Sequence, residues 1–182
     1  MILLKHFFVI SVILFFYVFK SPSFDWFKYE DKDCEILFPK IPVNDTIVRE
    51  TSIGTVTFYR HILKSKEQEK DSTLAYELIK SEYPPTETEL KNPTKEIAGS
   101  LFKGAISSSL KQVNGKLISE KEVDLGDYYG KEVKISFDNN TKLITMRCYL
   151  AKSKVYAIET ISPLDKGIDS SSTIFFSSFK IK

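Results

Sequence analysis

The chain has 182 residues, 42% of them apolar and 13% aromatic, enough for one sizeable core and too much for wholesale disorder. Its formal charge is +2, and two of its basic residues, Lys5 and Lys20, fall within the first 23 residues. Without that segment 24 basic side chains face 24 acidic ones. Nucleic acid, whose binders carry a basic surplus, is therefore not an expected partner.

Residues 1–23, MILLKHFFVISVILFFYVFKSPS, have the layout of an export signal. Lys5 supplies a thin positive start, Phe7 to Phe19 is an uninterrupted apolar run, and Ser21 and Ser23 are small residues placed for cleavage before Phe24. The run is shorter than the about 20 residues that span a bilayer. Met1 to Leu4 would lengthen it if Lys5 reached back to the interface, which leaves a retained anchor over residues 1–20 as the second reading. Under both readings residues 24–182 form a single domain outside the cytoplasm, periplasmic or secreted, touching the membrane only through the N-terminal segment. No Cys follows the apolar run, which argues against a lipid-modified N-terminus.

Phe24 to Asp33 is an aromatic and charged lead-in containing Trp26, Phe27 and Tyr29, suited to the edge of the domain or to a membrane interface. Cys34 to Phe38 alternates as a strand and is stopped by Pro39 and Pro42. Thr46 to Ser52 and Thr55 to Leu63 read as a hairpin about Ile53-Gly54, rich in β-branched and aromatic residues. Lys64 to Ser72 is a charged loop. Leu74 to Glu82 reads as a strand because Leu74, Tyr76 and Leu78 alternate, although its residues are also good helix formers.

The long central helix is the clearest element. Asn92 is a candidate cap, Pro93 suits the first turn, and Asn114-Gly115 is a stop signal. Between them Ile97, Ala98, Leu101, Phe102, Ala105, Ile106, Leu110 and Val113 form an apolar stripe at helical spacing. Lys116 to Val123 is a further strand. Then comes a β-meander with turns at Asn139-Asn140 and Lys152-Ser153, since Asn tolerates positive φ. That register sets Ile135 opposite Ile144, Val133 opposite Met146, Cys148 opposite Ala157 and Tyr149 opposite Tyr156. One face of the meander is then apolar, and the other carries Glu132, Lys134, Thr145, Arg147, Tyr149, Tyr156 and Thr160. A short helix, Asp169 to Phe176, and a last strand, Ser178 to Ile181, end the chain. The expected class is α+β: a mainly antiparallel twisted sheet with a long central helix and a short C-terminal one.

The chemistry is sparse. His61 is the one imidazole beyond the N-terminal segment, and no nucleophile-elbow, phosphate-loop or dinucleotide motif occurs. No metal set, cofactor site or catalytic residue is assigned. Glu159 is the distinctive acid, because the register places it on the apolar face opposite Met146, where a carboxylate would be neutral or paired. A bulge leaving it at a wet edge is the blander alternative. Cys34 and Cys148 both point to a core, and a bridge between them is one reading against two buried thiols. Tyr128, Arg147, Tyr149 and Tyr156 are the candidate binding residues, on a face that would otherwise be an ordinary exposed ladder.

Several landmarks together resemble the PsbP-like α/β superfamily and related exported bacterial proteins: Ile36-Leu37-Phe38-Pro39 with Pro42, Tyr83-Pro84, the central helix, Tyr129-Gly130-Lys131-Glu132, Arg147 with Tyr149-Leu150, Val155-Tyr156, and Phe175 to Phe179. The resemblance implies an antiparallel sheet flanked by helices, a PsbP-like α/β sandwich. Because its members are mostly binding or assembly modules, it also implies a non-enzymatic role toward a protein or envelope ligand. The alternative is a small extracytoplasmic hydrolase using Glu159 or His61.

Overall fold

The computed structural model describes residues 26–51, 54–65, 72–84 and 93–182. The leader or anchor expected over residues 1–23, the Asn92 cap and most of the charged loop over 64–72 lie outside them. In chain order the elements are β1 (Phe27–Glu30), β2 (Cys34–Phe38), β3 (Val43–Thr51), β4 (Gly54–Lys64), β5 (Ala75–Glu82), α1 (Lys95–Val113), β6 (Lys116–Glu122), β7 (Gly130–Phe137), β8 (Lys142–Ala151), β9 (Lys154–Pro163), α2 (Ser170–Ser178) and β10 (Lys180–Ile181).

The meander forms as its turn residues dictate. Asp138, Asn139 and Asn140 take φ of 50°, 54° and 62°, three left-handed residues in a row, the Thr141 amide donates to the Asp138 carbonyl at 3.1 Å, and Lys152 at φ 54° opens the second turn. The observed register is the expected one, with Ile135 against Ile144, Val133 against Met146, Cys148 against Ala157 and Tyr149 against Tyr156. β5 is a strand and adds to the free edge of β9, continuing the sheet. The result is a seven-stranded antiparallel sheet in the order β3-β4-β5-β9-β8-β7-β6. β3 and β4 pair through to Thr51 opposite Gly54, so Gly54, expected in the turn, is the first residue of β4.

α1 lies on one face of this sheet. Its cap is Thr94, whose hydroxyl accepts from the Ile97 amide at 3.4 Å, so the helix starts later than an Asn92 cap would have it. At the other end Asn114 sits at φ 49°, and the Gly115 amide donates to the Leu110 carbonyl at 2.9 Å. A Cβ on Gly115 would stand 2.6 Å from Ile135, so this exit from the helix needs glycine to lie on β7. Ala98, Phe102 and Ile106 press onto Val133, Ile135, Ile144, Met146, Cys148, Leu150, Val155 and Ala157, the apolar face of the meander. The eleven side chains form one core of the kind that contributes many kcal/mol at about 25 cal/mol per Å² buried.

The opposite face is also covered. The lead-in is a strand, β1, paired antiparallel with β2, and β10 pairs with the other edge of β2. This three-stranded sheet and α2 bring Cys34, Ile36, Phe38, Phe175, Phe176 and Phe179 onto Tyr76, Leu78, Tyr149, Ala151, Tyr156 and Ile158, a second core. Asp169 caps α2 by accepting from Ser172, and it also accepts from Ser72 and Thr73, which ties α2 to the lead-in of β5. The protein is thus a three-layer α+β sandwich with a core on each side of the large sheet.

Two expectations change with that second core. Tyr149 and Tyr156 are not a surface ladder, because they are 4% and 1% exposed. Cys34 and Cys148 are not bridged: each points to a core, but the seven-stranded sheet stands between the two cores and both remain free thiols.

Candidate functional site

Of the four expected binding residues, Tyr149 and Tyr156 pack against Phe179, with ring centroids 5.8 and 5.5 Å apart. Tyr128 is half-buried against the same core. Arg147 is half-buried as well, and it too is engaged. Its Nε donates to Glu132 at 2.7 Å and its guanidinium lies 4.6 Å from the centre of the Phe176 ring. Burial opposes the charge on Glu132, but hydrogen bonds from Arg147 and Lys121 outweigh it and hold the carboxyl below its ordinary value. The structure brings these residues together as interior and margin, not as an open face.

His61 on β4 faces the same side. It is 7% exposed, its Nδ1 is 2.7 Å from Asn44 Oδ1, and its ring is 3.9 Å from that of Tyr29. Burial lowers its pKa, so the neutral ring is favoured. Beside it runs an ionic network. Lys80 reaches both Asp31 and Asp33, Lys154 reaches Asp33 at 2.7 Å, and the Tyr29 hydroxyl donates to Asp31. These contacts fasten β1 and the β1–β2 turn onto β5 and β9. They explain why Lys80 can be buried at all.

The unexpected chemistry is on the α1 side. Glu159 on β9 stands opposite Met146 on one neighbour and Glu77 on the other. Glu159 is half-buried, and the loss of water around its carboxyl raises it to about 8, the Glu77 charge adds to the rise, and Arg60 opposes it. Glu77 is itself held by Arg60, whose Nε and Nη2 approach one carboxylate oxygen at 2.8 and 2.7 Å. Asp45 on β3 lies 3.8 Å from the same guanidinium. A polar row, Asp45, Arg60, Glu77 and Glu159, therefore crosses β3, β4, β5 and β9 on the face that α1 shares. α1 itself packs over β7 and β8. Glu159 is shifted toward its protonated form while its neighbour Glu77 is ion-paired with Arg60, the kind of division that lets adjacent carboxyls serve as hydrogen-bond donor and acceptor.

The sequence pointed to Glu159 because it interrupts an apolar alternation. It did not point to Arg60 or Glu77, whose proximity depends on β5 pairing with β9 across a long stretch of chain. Among the described residues no group of three His, Cys, Asp or Glu side chains could hold a metal ion. No helix among them is long and apolar enough to cross a membrane.

The topology decides what the chain resembles. The solution structure of cyanobacterial PsbP (CyanoP) from Synechocystis sp. PCC 6803 superimposes with a TM-score of 0.55 over 90% of this chain and 96% of that one, at 15% sequence identity. The fold is PsbP-like. No protein-family model and no curated protein matches the sequence. At that identity the likeness is one of architecture, and the ladder of aromatic landmarks that suggested it from sequence serves as the second core.

Proposed function

We propose that this protein is an extracytoplasmic binding or assembly module without catalytic activity. In this reading residues 24–182 are its single domain, delivered by an N-terminal signal or held by an anchor. The observation that carries the proposal is the PsbP-like architecture over nine-tenths of the chain, joined to an N-terminal segment with the composition of an export signal. The surface best suited to docking is the part of the α1-side face toward β3. There Arg60, Glu77 and Glu159 lie beside Ile47, Phe58 and Ile62, all partly exposed. A partner there would be a protein or ligand of the envelope.

The test is photo-crosslinking in intact cells with a photoreactive residue at Phe58 or Ile62, combined with protease accessibility from outside the membrane. One recurrent partner, captured from the extracytoplasmic side, is the expected result. A domain protected as a cytoplasmic protein would overturn the proposal.

One observation favours a second reading, a small hydrolase: Glu159, its carboxyl raised, beside the Arg60-paired Glu77 is an arrangement suited to a general acid. His61 lends it no support, being enclosed between Asn44 and Tyr29. A substrate screen in which Glu159→Gln abolishes turnover would establish this reading, and indifference to that substitution would remove it.

A further inference from the structure

The seven-stranded sheet has two edges, and they are built differently. β6 slips register against β7 between Leu117 and Ser119, and Lys116, Glu120, Lys121 and Glu122 crowd its short length. A bulge and a dense run of charge are the usual means of blocking an edge. β3 has neither a bulge nor a proline. It runs nine residues in unbroken register with β4, and its side chains are exposed nearly throughout. Val43 and Val48 are 74% and 60% exposed, and Ile41 just before the strand is 72% exposed. Among the described residues nothing pairs with the outer side of β3.

We propose that β3 is a homodimer seam, pairing antiparallel with β3 of a second copy of this chain about a two-fold axis at Ile47. The backbone phase permits it. A hairpin closed across two residues ends on a hydrogen-bonded pair, here Thr51 with Gly54. Residues in phase with Thr51 therefore spend their amides and carbonyls on β4, and Asn44, Thr46, Val48 and Glu50 direct theirs outward. With Ile47 at the axis, Thr46 meets Val48 of the second copy and Asn44 meets its Glu50, which gives about eight backbone hydrogen bonds.

The side chains choose the same register. Asp45 falls opposite Arg49 of the second copy, twice by symmetry, and Ile47 falls opposite itself. A shift of one residue puts Asp45 opposite Glu50 and breaks the hydrogen-bond phase. A shift of two sets Ile47 against a charge, either Asp45 or Arg49. The strand sequence Val43-Asn44-Asp45-Thr46-Ile47-Val48-Arg49-Glu50-Thr51 thus complements itself in one alignment. A single seam of this length buries less than the roughly 1,200 Å² of a stable interface, so the dimer belongs in the micromolar range.

The test is sedimentation of the full chain in detergent micelles over a concentration series, with amide exchange measured alongside. Val48→Pro removes an outward amide that β4 does not use, and should weaken the dimer at least tenfold while leaving the monomer folded. Arg49→Asp should weaken it as well. Adding Asp45→Arg to Arg49→Asp should restore it, because Arg60 keeps Glu77 as its partner. In the parent the amides of Thr46 and Val48 should gain protection as concentration rises. A chain that is monomeric across the series, or a dimer indifferent to Val48→Pro (association through residues 1–25, for example), would overturn the inference. So would protection of β3 that appears only when a different protein is added.

Discussion

Glu159 offers the sharpest test of the structure, because its burial couples stability to pH in an unusual direction. In the unfolded chain its carboxyl titrates near 4.5, and in the folded protein near 8. The folded state therefore holds a proton that the unfolded state releases over that interval. The stabilisation is complete below about pH 4.5 and is lost as pH rises through 8. At about 1.36 kcal/mol per pKa unit the whole span is roughly 5 kcal/mol, an upper figure since water penetration reduces it. Glu159→Gln imitates the protonated acid, so urea midpoints of the variant should stay nearly level from pH 5 to 9 while those of the parent fall. Glu77→Gln removes the like charge and frees Arg60, and should bring the Glu159 titration down. Arg60→Met should push it further up. Carboxyl carbon chemical shifts followed against pH read the site directly. A Glu159 titration midpoint below 5, or a parent and a Glu159→Gln variant with the same pH dependence, would refute the desolvation of this carboxyl.

Three other outcomes follow from the packing. Lys80→Met should cost about 3 kcal/mol in urea unfolding, since Asp31 then loses its cation within a partly buried network. Burial works against the charge on Asp31 and Asp33, but hydrogen bonds from Lys80 and Lys154 hold both carboxyls low. The parent should therefore lose stability as pH falls below about 3.8, and the variant less steeply. Gly130→Ala should cost about 3 kcal/mol, because its Cβ would meet the Val123 carbonyl at 2.2 Å and the Tyr149 ring at 2.5 Å. Thermal melts of the variant would show it. Burial pushes the Cys34 thiol up to about 12 and raises Cys148 as well, so neither should react with iodoacetamide until the protein is unfolded. Intact mass should be unchanged by reductant.

The core under α1 could be read from sequence because every cue there is local. Asn139-Asn140 and Lys152-Ser153 fix two tight turns, each turn fixes a register, and the register sorts ten meander side chains onto one face. The stripe on α1 has the helical spacing needed to cover that face. The second core could not be read in the same way. β1 and β10 are four and two residues long, and a strand that short has no periodicity to detect. Tyr149, Tyr156, Thr145 and Thr160 also suit an exposed ladder as well as they suit an interior, since a phenol or hydroxyl is at home in both. The missed signal was the supply of aromatics at the two chain ends. Trp26, Phe27 and Tyr29 at one end and Phe175, Phe176 and Phe179 at the other need an apolar partner, and the Tyr-bearing face of the meander was the face left over.

The two faces of the large sheet differ in how their polar groups are employed, and that difference bears on where a partner would bind. On the β2 side, Lys80, Asp31, Asp33, Lys154, Glu132 and Arg147 are matched with one another in ion pairs. They hold the second layer down, and a partner would have to break those pairs to use them. On the α1 side the match is incomplete: Arg60 satisfies Glu77, and no ion pair engages Glu159 among the described residues. A carboxyl kept neutral by its surroundings recovers its charge as soon as a cation is brought to it, because the same desolvation that raises its pKa strengthens the new pair. A basic group docking beside α1 would therefore displace a proton from Glu159. Binding there should weaken as pH falls from 8 to 6, and Glu159→Gln should remove that dependence. Binding at Arg147 would show neither effect, so proton release measured during titration with a captured partner distinguishes the two faces.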